Sequence, residues 1–71
     1  MKEYLVIYEQ GETSWGAYVP DLPGCVAVGK NRQEVERLIR EAIELHVDGI
    51  RADGEPIPEP RTFADRISIS A

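Results

Sequence analysis

The chain has few of the residues that build disulfides, metal sites or nucleophilic active sites. Its 71 residues include one cysteine and one histidine. A lone thiol, Cys25, cannot close an intrachain disulfide, and one histidine among scattered carboxylates matches no metal-ligand spacing. A nucleophile–base pair of Cys25 and His46 would need a third group to orient the base, and the spacing indicates none. We therefore expect no cofactor, no metal, no catalytic residue and no enzymatic activity.

Long apolar segments are also missing. The longest apolar run extends from Tyr4 to Tyr8, and about 20 such residues are needed to cross a bilayer as a helix. The first residues, Met1, Lys2 and Glu3, do not start a secretory signal, which needs a basic stretch and then an apolar one. These features together predict a cytoplasmic location.

Basic residues are outnumbered, with 8 lysines and arginines against 13 acidic residues and a net charge of -5. Such a surface repels phosphate backbones and attracts cationic partners, so no direct DNA binding is expected. Most of the acids fall in turns or on the polar side of the predicted helix, which favours solvated surface over a hydrolytic carboxylate pair. At 71 residues we expect a single domain, residues 1–71.

The first half of the chain is typical of an antiparallel meander. Apolar and β-branched residues predict strands at about 4–8, 15–19 and 25–28, and Pro20, which has no amide hydrogen, should end the second. Between the second and third strands, Pro23 and Gly24 occupy the central positions of a type II turn, where the glycine supplies positive φ.

The second half predicts a long helix at about 32–52. Asn31 is a good N-cap, Glu34 follows at capping-box spacing, and Gly54 is a suitable stop. One side of the helix is apolar, with Val35, Leu38, Ile39, Ala42, Ile43, His46 and Ile50. A proline-rich connector at 55–60 and an alternating segment at about 66–70 follow, and the latter predicts a fourth edge strand.

The predicted fold class is therefore α+β, with strand order β-β-β-α-β and the helix packed on one face of the sheet. A right-handed crossover would return the last strand parallel to the first. All three meander strands carry apolar side chains on both faces, and one helix covers only one face. We expect a homodimer or a larger assembly, such as a tetramer, to cover the other; the alternative is a small sheet that exposes some tyrosine and valine.

One motif is more specific than a turn requires: Pro20-Asp21-Leu22-Pro23-Gly24-Cys25. With the preceding residues 15–19, with Gly29, and with the helix end at 41–46 leading into the proline-rich connector, it resembles the HicB family of antitoxins. The similarity covers about residues 2–60.

The resemblance implies a partial ribonuclease-H-like fold and a protein that neutralises a HicA-type mRNA-cleaving toxin by covering its RNA-binding and catalytic surface. HicA-type toxins are usually basic, so an acidic inhibitor fits. Many HicB antitoxins also carry a C-terminal DNA-binding domain, and this chain is expected to be a short form without it. Two other classes stay open: an orphan oligomeric scaffold or regulatory binding domain with no cognate toxin, and a vestigial nuclease or hydrolase.

For the inhibitor hypothesis, the partner-binding surface is predicted on the segment that carries the motif and on the acids beside it. The candidate residues are Trp15, Tyr18, Asp21, Leu22, Pro23 and Gly24. Trp15 has an alternative role as a core residue, in which case its loss would lower thermal stability with or without a partner.

Overall fold

The computed structural model describes all 71 residues and contains three strands and one helix. The strands are β1 (Ile7–Gln10), β2 (Trp15–Tyr18) and β3 (Val26–Gly29), and the helix is α1 (Arg32–Ala52). The strands form an antiparallel sheet in the order β1-β2-β3, and α1 packs on one face of it against β2 and β3. The predicted α+β class, with the helix on one face of a meander, is confirmed. The helix is not apolar enough over its length to cross a membrane.

The first strand begins later than the sequence pattern predicts, at Ile7 instead of Tyr4. Ile7 pairs with Tyr18, the last residue of β2. After Tyr18 the chain turns at Pro20. The amide of Val19 donates to the carbonyl of Cys25, on the side of β3. Residues 4–6 therefore have no strand opposite them.

The predicted type II turn is confirmed. The amide of Cys25 donates to the carbonyl of Leu22 at 3.0 Å, and Gly24 between them has a φ of 86°. The proline before it sets the first central φ of such a turn. The turn directs Leu22 into the core, where it is 0% exposed.

The helix has the predicted bounds, and both of its ends are capped. The side chain of Asn31 accepts from the amide of Glu34 at 2.9 Å. At the other end the amides of Gly54 and Glu55 donate to the carbonyls of Arg51 and Ile50. Gly54 has a φ of 71°, which completes a Schellman motif and ends the helix.

The core lies between α1 and the helix-facing side of the sheet. Its buried members come from the second and third strands, the turn and the first half of the helix: Ala17, Val19, Leu22, Cys25, Val35 and Ile39. Tyr4, Val6 and Tyr8 pack against its edge, which agrees with the predicted alternation along the first strand. The opposite sheet face contributes no residue to this core.

The predicted fourth strand at 66–70 is not formed. In the structure the proline-rich connector extends through Thr62. It is held in place ahead of residues 66–70, since the amides of Arg61 and Thr62 donate to the Asp21 carboxylate. The amides of residues 66–70 make no backbone hydrogen bond, and the one at Arg66 donates to the side chain of its neighbour Asp65. A strand needs a partner edge, and the alternating pattern alone does not supply one.

Gly29 lets the helix approach the end of β3. A Cβ atom at this position would lie 2.9 Å from Cγ2 of Val35, which is fully buried, and 2.8 Å from Oε1 of Glu34. We expect Gly29→Ala to lower the free energy of unfolding by about 1–3 kcal/mol, because the crowded core must shift. Chemical denaturation measures the change. Gly16→Ala is the matched control, since its Cβ would meet only the Ala27 carbonyl at 3.7 Å; equal losses for both variants would contradict the assignment.

Candidate protein-binding surface

The sheet face opposite the helix is an open surface with apolar side chains. We call it the outer face and define it by Ile7, Tyr18, Val26 and Val28. Tyr18 pairs with Ile7 on one side and with Val26 on the other, so these three side chains form a row across all three strands. Tyr18 is 40% exposed, and Val26 and Val28 are 61% and 67% exposed. A contiguous patch of this kind indicates a surface for another protein.

The neighbouring row of the outer face contains a carboxylate and a glycine. Glu9 pairs with Gly16, and Gly16 pairs with Val28, so the middle position has no side chain. Glu9 is exposed, and Glu12 is exposed in the hairpin that follows β1. The outer face therefore has an aromatic and aliphatic centre with carboxylates at one end. This is the composition expected where a basic protein would dock.

The turn between β2 and β3 divides its residues between core and surface. Leu22 is fully buried and Asp21 is half-buried, whereas Pro23 and Gly24 are exposed. Trp15 is half-buried and packs against the core. Of the six candidate partner-binding residues, only Tyr18, Pro23 and Gly24 lie open to a partner in the protomer, and the six do not share one face.

Asp21 is a structural latch for the proline-rich connector. Its Oδ2 accepts from the amides of Arg61 and Thr62, both at 2.9 Å, and its Oδ1 accepts from the Thr62 hydroxyl at 2.7 Å. Hydrogen bonds from the Thr62 side chain and amide and from the Arg61 amide hold the pKa of Asp21 below its ordinary value of 3.8. These partners are 40 and 41 residues away, and no sequence pattern indicated them.

Two further contacts fix the connector beside the chain segment that enters β1. The Tyr4 hydroxyl donates to the Pro58 carbonyl, and Lys2 forms an ion pair with Glu59. The ion pair lowers the pKa of Glu59. An open groove remains between residues 1–5, the second half of the helix and residues 57–64. Its apolar lining includes Ile43, Val47 and Phe63.

The candidate nucleophile and base are not joined. Cys25 is 3% exposed in the core, and burial raises the pKa of its thiol. Activation of a thiol requires the opposite shift. No hydrogen bond links it to His46, which is half-buried further along the helix. No group of three or more histidine, cysteine, aspartate or glutamate side chains is placed to hold a metal ion.

These features describe a small α+β protein with one sheet face packed against the helix and the other face open. A family model described as the HicB-like antitoxin of bacterial toxin–antitoxin systems matches residues 4–69. The chain belongs to this family of HicB-like antitoxins.

Relatives of similar and of greater length support the assignment. A UPF0150 protein of Thermoplasma acidophilum is 32% identical over 71 residues, which is 100% of both chains. A UPF0150 protein of Helicobacter pylori is 45% identical over 47 residues, covering 66% of this chain and 65% of the relative. The protein named Antitoxin HicB 2 of Photorhabdus laumondii is 32% identical over 59 residues, covering 83% of this chain but 42% of the relative. No solved structure matches.

Leu22 tests whether the turn motif serves the fold. Because this side chain is fully buried, Leu22→Ala should lower the free energy of unfolding by about 2–5 kcal/mol in the absence of any partner. Thermal unfolding followed by circular dichroism measures it. Pro23→Ala, at the exposed neighbouring position, is the control and should cost under about 1 kcal/mol. A Leu22 variant as stable as wild type would show that the turn does not belong to the core.

The latch predicts a pH-dependent connector. The folded-state pKa of Asp21 is lowered, so its stabilising effect is fully present above pH 3.8 and is lost as the pH falls through the folded-state value. We expect the Thr62 amide resonance to titrate with a midpoint below 3.8 and to lose that titration in Asp21→Asn.

The matched control for the latch is Asp53→Asn, because the Asp53 side chain makes no hydrogen bond at the helix end. It should leave the Thr62 resonance and its titration unchanged. A Thr62 amide insensitive to Asp21→Asn would show that the connector is held in some other way.

Proposed function

We propose that this chain is a cytoplasmic antitoxin that neutralises a small basic HicA-type RNA-cleaving toxin. It acts by binding and not by catalysis: the outer face covers the RNA-binding and catalytic surface of the toxin. The membership of the HicB-like antitoxin family supports the toxin–antitoxin role. The observation that carries the choice of surface is the row of Ile7, Tyr18 and Val26 across the three strands, in which Tyr18 and Val26 are exposed.

Charge supports a basic partner. The chain carries a net charge of -5, and the arginines of the helix are largely neutralised locally. Arg32 pairs with Glu36, Arg37 with Glu41 and Arg51 with Asp48. Glu9 and Glu12 have no such pairing, so their charge is available to a cationic partner. Unpaired carboxylates beside an apolar centre favour rapid encounter and correct orientation of such a protein.

Tyr18 is suited to be the main anchor of the complex. It is the last residue of the central strand and has a paired neighbour on each side, and tyrosine is one of the residues that most often dominate binding energy at interfaces. The exposed residues of the turn, Pro23 and Gly24, follow the same strand and extend this surface. In this account Asp21, Leu22 and Trp15 shape the surface from behind, through the latch and the core.

Co-expression with a HicA-type toxin tests the proposal. The toxin alone should stop the growth of the host cells. The wild-type chain should restore that growth, and the two proteins should co-purify. Failure of the wild-type chain to restore growth or to bind would contradict the antitoxin function and would favour an orphan scaffold or regulatory domain.

Substitutions on the outer face test the surface itself. Tyr18→Ala should weaken toxin binding by about 2 kcal/mol, roughly 30-fold in Kd, and Val26→Asp should weaken it further while the fold is retained. Isothermal titration calorimetry measures both. The matched control is Leu45→Asp, which changes a residue 73% exposed on the helix; a loss as large as that of Val26→Asp would place the toxin on the other side of the molecule.

A further inference from the structure

The protomer exposes more surface than a closed protein of its size. Its accessible area is 5865 Å², whereas a compact monomer of 8.0 kDa exposes about 4,450 Å². The excess is roughly 1,400 Å². The radius of gyration, 14.0 Å, likewise exceeds the approximately 11 Å expected for a compact chain of this length.

Residues 63–71, which we call the tail, account for much of the excess. Every residue of the tail is exposed, and Phe63, Ile67 and Ile69 are 90%, 80% and 80% exposed. An unfolded chain exposes about 160 Å² per residue, so nine residues expose about 1,400 Å². A standard protein interface takes about 800 Å² from each partner. Burial of little more than half of the tail is therefore sufficient for a stable contact.

The tail has the pattern of a strand without a neighbour. Its two isoleucines alternate with Ser68 and Ser70, and its amides make no backbone hydrogen bond. The sheet offers an unpaired strand edge. β1 pairs only with β2, so no strand lies along its other edge. Unpaired edges and unpaired strands of this kind add to one another through main-chain hydrogen bonds.

The connector determines where the tail leaves the protomer. Its contacts with Lys2, Tyr4 and Asp21 hold residues 58–62 beside the segment that enters β1, and three prolines keep the connector extended. Residues 58–62 are therefore held between the segment that enters β1 and the turn that carries Asp21, and the tail that follows makes no backbone hydrogen bond with the β1 edge of its own protomer. In a twofold arrangement of two protomers, each tail can meet the β1 edge of the other protomer.

We propose that two copies of this chain exchange tails, so that residues 66–70 of each copy add as a fourth strand to the outer edge of β1 of the other. The exchange completes the β-β-β-α-β order across two chains. It buries Ile67 and Ile69 and leaves the outer face of each sheet open, so it is independent of the toxin-binding proposal.

The oligomeric state of the full chain and of tail variants tests this. Light scattering after size exclusion should give twice the chain mass for wild type at micromolar concentration. It should give the mass of a single chain for the double variant Ile67→Asp/Ile69→Asp. The same result is expected for a chain that stops after Ala64, which retains the hydrogen bonds of Asp21 with Arg61 and Thr62. Ser68→Asp/Ser70→Asp adds the same charge on the alternate side of the strand and should remain dimeric.

An isotope-filtered NOE experiment on a mixture of labelled and unlabelled chains locates the contact. We expect intermolecular NOEs between the methyl groups of Ile67 or Ile69 and the side chains of β1. The exchange would be overturned if the wild-type chain is a monomer or if the dimer survives removal of the tail. It would also be overturned if no NOE joins a labelled chain to an unlabelled one. Unchanged circular dichroism of the variants establishes that a loss of dimer is not a loss of fold.

Discussion

A single helix can cover only one face of a three-stranded sheet, and the rest of this molecule follows from that constraint. The helix buries Val35 and Ile39 against β2, β3 and the turn that carries Leu22. Further along the helix, Ala42, Ile43 and Val47 are partly buried against this core. Tyr18, Val26 and Val28 are therefore left facing outward. An apolar surface kept open in so small a chain is best explained as a surface for other proteins.

The latch at Asp21 connects the fold to this surface. One carboxylate holds a connector that is 40 residues away in the chain, and the same turn fixes the end of β2, where Tyr18 lies. The motif that first suggested a partner site therefore acts largely inward, through a buried leucine and an acceptor for backbone amides. Its exposed members, Pro23 and Gly24, lie in the turn and outside the paired strands.

Local signals in the sequence predicted most of the fold. Asn31, Gly54 and the Pro23-Gly24 turn act within a few residues, so the helix bounds and the type II turn could be predicted from them. The alternation that separates Tyr8 from Ile7 likewise depends only on neighbouring positions. The apolar pattern of residues 66–70 was insufficient, because strand formation depends on a partner edge that the pattern does not specify. The latch could not be predicted, since it joins residues that no local rule relates. The sequence predicts that one sheet face stays uncovered, and of the six candidate partner-binding residues Tyr18 belongs to the outer face while the turn motif supplies most of the others.

The central claim is that the outer face is the surface used to bind a toxin. Hydroxyl-radical footprinting of the chain, free and in complex with its co-purified toxin, tests it most directly because it reports on individual side chains. Strong protection of Tyr18 in the complex, with Leu45 on the helix unchanged, is the predicted result. A complex in which Tyr18 stays as reactive as in the free chain while Leu45 becomes protected would contradict it.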